Sequence, residues 1–194
     1  MTLISKRAIR CLGIAESFVR DSKISILAGI VMRGDLIVDG VTFTKITLGG
    51  LDATDGVAKI FKNLGRNDIN IIMIGGAIIA LYNIIDIEEL YRHLTIPIIC
   101  ITYKESKGIE RNLKRLPNAD KRIEIYRRLG ARKKITLKTG YSVFARWCGL
   151  SEKEVKVLLN KFTRFGRVPE PIRVARLCAR SVLKFIFANR LELQ

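Results

Sequence analysis

The hexapeptide Ile69-Asn70-Ile71-Ile72-Met73-Ile74 is apolar at every position but one, and Gly75-Gly76 follows it directly. A strand packed on one face alternates apolar with polar residues. A nearly unbroken apolar run of strand length instead predicts a strand covered on both faces, the signature of an α/β sheet. The run extends in weaker form to Ile85, which makes 69–85 the one stretch to weigh as a membrane span. Spanning a bilayer takes about 20 apolar residues. Here Asn70, Gly75, Gly76 and Asn83 interrupt the run, so it reads as a buried strand and the loop after it, with no membrane partner.

Upstream of this strand lie three strand-like runs, 9–17, 24–33 and 36–48. Arg33-Gly34-Asp35 between the second and third is turn chemistry, so the three predict an antiparallel meander. Asp52 then stands where a helix N-cap belongs, ahead of an apolar face of Val57, Ile60, Phe61 and Leu64, and Gly65 closes the helix. Downstream, Asp86 caps a second, short helix, with Glu89 placed for a capping box, and 96–102 supplies another buried strand. Three antiparallel strands followed by alternating helices and strands give an α/β fold with a mixed sheet.

The 194 residues suit a single domain, 1–194, with a first half at 1–103 and a basic, helix-rich second half at 104–194. In the second half, 105–116 and 118–129 predict helices, 132–139 and 141–147 strands, and 151–162 and 171–189 helices. Charge divides even more sharply. Residues 1–100 carry 11 Lys and Arg against 10 Asp and Glu; residues 101–194 carry 24 against 8. A field so concentrated suits a phosphate backbone, DNA first and RNA as the alternative. Arg132, Lys134 and Lys138 fall on one face of a strand, and Arg173, Arg176 and Arg180 repeat at helical spacing. The same arginine stems would also cover a helix of a second copy, which keeps a homodimer among the expectations.

Several classes are excluded by what the chain lacks. Cys11, Cys100, Cys148 and Cys178 form no C-x-x-C pair and His93 stands alone, so no ordinary zinc motif is present. P-loop and dinucleotide fingerprints are absent too. Widely spaced cysteines in apolar surroundings, and an N-terminus without a long apolar core, predict a cytoplasmic protein.

A set of segments, in order along almost the whole chain, resembles an archaeal family related to endonuclease V, endonuclease dU. They are Gly13-Ile14-Ala15-Glu16-Ser17-Phe18, Gly40-Val41 with Thr44-Lys45-Ile46-Thr47, Asp52-Ala53-Thr54, Asn83-Ile84-Ile85-Asp86-Ile87-Glu88-Glu89-Leu90, and Pro169-Glu170-Pro171-Ile172-Arg173-Val174-Ala175. The resemblance implies a ribonuclease H-like fold and cleavage of deoxyuridine-containing DNA, of the repair type, with Mg2+ or Mn2+. Lys45, in the family's Thr-Lys pair, would meet a phosphate, or else stand as a solvent-facing strand residue.

Such chemistry uses carboxylates, because magnesium takes hard oxygen ligands. The resemblance leads one to expect acids where this chain has Ala15, Gly49 and Gly75. Glu16 and Asp52 are then the candidate catalytic residues, and Glu16, Asp52 and Asp86 the candidate metal ligands. Asp52 and Asp86 serve equally well as plain helix caps. Two readings follow: a metal-dependent endonuclease on a rearranged site, or a catalytically silent paralogue that binds DNA or RNA and uses no cofactor.

Overall fold

The computed structural model describes residues 8–106 and 108–189. The first seven residues of the N-terminal stretch that lacks a long apolar core lie outside them, as does residue 107 within the helix expected at 105–116. Strands β1 (Arg10–Ser17), β2 (Ile24–Arg33) and β3 (Val38–Thr47) form the meander. Its second turn, between β2 and β3, runs longer than Arg33-Gly34-Asp35. The Arg33 N–H donates to Ile37 O at 2.9 Å, and Leu36, expected to open the third strand, lies in the turn at φ 68°.

Helix α1 (Ala53–Leu64) ends at Gly65, whose φ of 58° is the left-handed geometry that glycine adopts without penalty. Then come β4 (Ile71–Ile74), a two-strand ribbon of β5 (Ile78–Ile79) and β6 (Asn83–Ile84), α2 (Ile87–Leu94) and β7 (Ile98–Thr102). The second half contributes α3 (Glu110–Leu113), α4 (Ala119–Arg128), β8 (Lys133–Thr136), β9 (Ser142–Cys148), α5 (Glu152–Phe162) and α6 (Glu170–Ala188).

Seven strands form one mixed sheet in the order β3-β2-β1-β4-β7-β9-β8. β1, β4 and β7 are parallel, and every other neighbouring pair is antiparallel. The unbroken apolar run at 71–74 follows from this position, because β4 is central and buried on both sides. Leu12, Ile14, Ile72 and Ile74 face a layer that holds α1, α2 and α4. Cys11, Ala15, Ile71 and Met73 face α5 and α6. Burying both faces removes apolar side chains from water at roughly 25 cal/mol per Å², which makes these two layers the main source of stability.

α6 lies directly on β1. A Cβ placed on Gly13 would sit 2.4 Å from the Pro171 carbonyl carbon, so a bare backbone is what lets the helix approach. Two expectations need correction. The helix at 105–116 is reduced to α3, and the strand at 132–139 ends at Thr136, where Leu137–Gly140 turns back through Leu137 N–H to Tyr141 O at 2.8 Å.

Candidate nucleic-acid cleft

In open α/β sheets ligands gather outside the carboxyl ends of the parallel strands. Here β1, β4 and β7 end together, and a cavity of about 520 Å³ opens beside them. Gly75 and Gly76 leave β4 at its floor, Tyr103 leaves β7, and Arg132, Arg146, Arg167 and Arg176 reach in from four separate segments.

Each guanidinium is held without a carboxylate. Arg132 donates to Thr102 Oγ1 at 3.0 Å, Lys104 O at 3.1 Å and Ser106 O at 3.0 Å. Arg146 donates to Gly130 O at 2.8 Å, and Arg167 to Tyr103 O at 2.9 Å. Arg167 and Arg176 both pack on the Tyr103 ring, 5.9 and 5.7 Å from its centroid. Among the described residues none of the four forms an ion pair, whereas Arg10, Arg66, Arg128 and Arg173 each meet an aspartate or glutamate. Burial holds the Arg146 guanidinium below its usual pKa, and Arg132 adds repulsion. Burial likewise pushes the Tyr103 hydroxyl up to about 12, against the pull of Arg176 and Arg167. That hydroxyl is buried and lacks a hydrogen bond of normal geometry.

The expected carboxylates are dispersed. Glu16 continues the Leu12 and Ile14 face of β1, accepts from Ser25 Oγ at 2.9 Å, and stands close enough to Arg176 to feel its charge. Burial raises its pKa above the usual carboxylate range, although bonds from Ser25 and the Ala80 backbone oppose the rise. Asp52 occupies the N-cap position of α1 but does not cap it. Its oxygens take Thr47 N–H at 2.9 Å, Thr47 Oγ1 at 2.8 Å and Asn83 Nδ2 at 2.6 Å, while Asn83 Oδ1 receives the Ala53 N–H at 3.0 Å. Burial pushes the Asp52 carboxyl up, yet these donors outweigh it and hold it low. Asp86 caps α2 through Glu88 and Glu89 N–H, each at 3.1 Å, and binds Arg128 at 2.8 Å.

A hard divalent cation needs several oxygen ligands in one place. Among the described residues no three His, Cys, Asp or Glu side chains come together in that way. Backbone geometry compounds this at two of the positions the resemblance singles out. Gly49 has φ 68°, and a Cβ on Gly75 would lie 2.9 Å from Ile172 Cγ2. The residues present do not fit a carboxylate metal centre.

Of the basic residues expected to bind nucleic acid, Arg132 and Arg176 line the cleft, and Lys134 lines an adjoining groove of about 530 Å³. Lys138 belongs to a separate lysine patch with Lys153, Lys156 and Lys161. Arg173 is paired with Glu170, Arg180 is exposed on α6, and Lys45 sits on edge strand β3 opposite Ile26. Sequence reasoning missed Arg146, Arg167 and Tyr103. Arg146 had a signal: it is a charge inside the apolar strand 143–147.

A family model described as Endonuclease dU matches residues 7–183. A UPF0215 protein of Pyrobaculum calidifontis is 36% identical over 177 residues, covering 90% of this chain and 97% of that protein. A crystal structure of an Archaeoglobus fulgidus protein of unknown function superposes with a TM-score of 0.80 at 26% identity, covering 90% of this chain and 98% of the other. Endonuclease V of Ciona intestinalis, solved with a 24mer DNA containing an inosine followed by a ribo-adenosine, gives a TM-score of 0.64 at 14% identity, covering 93% and 88%. The mixed sheet therefore has the endonuclease V fold. No helix among the described residues is long and apolar enough to cross a membrane.

Proposed function

The chain belongs to the Endonuclease dU family, and on that premise we propose that it is a nucleic-acid-binding member that holds phosphate in its arginine-lined cleft without metal-dependent hydrolysis. One observation carries the reading: four guanidinium groups, none of them in an ion pair among the described residues, converge at the strand ends. Positive charge left uncompensated in a partly buried site costs stability, and such costs concentrate where a ligand supplies the missing charge. The family and the fold support a nuclease-like role on nucleic acid. The +16 balance of residues 101–194 would steer such a strand to the cleft.

A second reading keeps the family chemistry, a Mg2+- or Mn2+-dependent endonuclease acting on deoxyuridine in DNA. Glu16, a half-buried acid at the end of β1 with Arg176 nearby, favours it. The two readings separate in a cleavage assay on end-labelled DNA with one deoxyuridine, run with Mg2+, with Mn2+ and with EDTA. We expect salt-sensitive binding in all three conditions and no nicking. Metal-dependent nicking that Glu16→Ala abolishes would overturn this reading in favour of the second.

A further inference from the structure

We infer that the ligand group seated in the arginine cleft is a phosphomonoester, at the end of a nucleic-acid strand or on a free nucleotide, rather than an internal phosphodiester. This deepens the reading above and rests on it for the strand-borne form. Charge is the first argument. A diester carries one negative charge, whereas a monoester carries about 1.5 to 2 near neutral pH and has three terminal oxygens to accept hydrogen bonds. The four cleft arginines are gathered around one cavity, not strung along a track, and Glu105 is the one acid among its lining residues.

Orientation is the second argument. Carbonyl acceptors fix Arg132, Arg146 and Arg167 through part of each guanidinium, and the Tyr103 ring supports Arg167 and Arg176 from beneath. Donors are left over on each of these groups, and among the described residues none of the four arginines forms an ion pair with an acid. Forked donors of this kind suit the several oxygens of a terminal phosphate.

Shape is the third. The cavity, about 520 Å³, has the size of a small-ligand site. Tyr126 lines both it and the adjoining groove, where Phe144 also lies, with Arg146 and Arg132 packed on these two rings at 5.9 and 5.7 Å. A phosphate among the arginines would leave its nucleoside beside this aromatic pair, where a base stacks regardless of identity.

The test uses the full chain in EDTA and measures the anisotropy of short labelled single strands. They carry a 5′-phosphate, a 3′-phosphate or only hydroxyl ends, with circular single-stranded DNA and dUMP as competitors. One phosphorylated end should bind at least about tenfold more tightly than the hydroxyl strand, and dUMP should compete. Arg146→Gln and Arg176→Gln should each erase the preference. If either melts early, Arg176→Lys, which keeps the charge but not the fork, should still reduce it. Equal binding of all ends, with circular DNA competing as well as linear, would overturn the inference and leave the nucleic-acid reading standing. Binding of dUMP with no affinity for any strand would support the inference in its free-nucleotide form and overturn the nucleic-acid reading. No binding of either overturns both.

Discussion

Glu16, at the end of β1, and Arg146, in the cleft, show how single positions work against folding. Burial opposes the charged form of each, and neither has an ion-pair partner among the described residues. For Glu16 the consequence follows from linkage. Its folded pKa lies above the unfolded value, so its contribution is most favourable in acid and is lost as pH rises through the folded pKa. Glu16→Gln should therefore raise the melting temperature at neutral pH, and the gain should shrink to nothing below about pH 4, where the acid is protonated in both states. Thermal melts over a pH series check this, and a gain that is flat with pH would contradict it. The sequence exposed the risk at Glu16, an acid on the apolar face of a strand. It did not expose the fate of Asp52. An N-cap position is readable from spacing, but the diversion of that carboxylate to Thr47 and Asn83 depends on a contact across 31 residues.

At the scale of elements, Arg122 ties the loops around the site together. It is buried at 3% exposure and donates from α4 to Gly49 O, Gly50 O and Tyr82 O. The loop it clamps is strained, with Ala80, Leu81 and Tyr82 all in the left-handed region at φ 41°, 55° and 69°. Arg122→Ala would leave three carbonyls without this donor and should cost about 2–4 kcal/mol. Denaturant unfolding measures it, and a loss under about 0.5 kcal/mol, the size of an ordinary surface change, would show that the clamp is not needed.

Elements with strong apolar patterns were legible: β1, β2, β4, α1 and α6 fall within a few residues of their expected bounds. The first basic helix was not. Lys104 O and Ser106 O, which a helix from residue 105 would have drawn into its opening turn, are taken by Arg132, and Gly108 has φ 99°. An arginine some 28 residues away thus decides the local conformation, beyond the reach of any local pattern.

For the whole molecule, the sheet brings the second half's arginines to the ends of strands that belong to the first. Arg132 and Arg146, on the loop before β8 and on β9, face Gly75 and Gly76 after β4, with Arg176 descending from α6. Charge asymmetry in the sequence pointed towards a phosphate partner, whereas the convergence of those charges on one cleft came from topology. Each phosphate contact contributes about 0.9 to the slope of log affinity against log salt, so contacts made by the cleft are countable.

The most direct measurement is a salt titration of DNA binding in EDTA, for the wild type and for the double variant Arg146→Gln/Arg176→Gln. Tight binding without metal is expected, with a slope that falls by about 2 in the variant. An unchanged slope and affinity in a variant that still folds, or binding that appears only with added metal, would contradict the arginine cleft as the place where this protein holds phosphate.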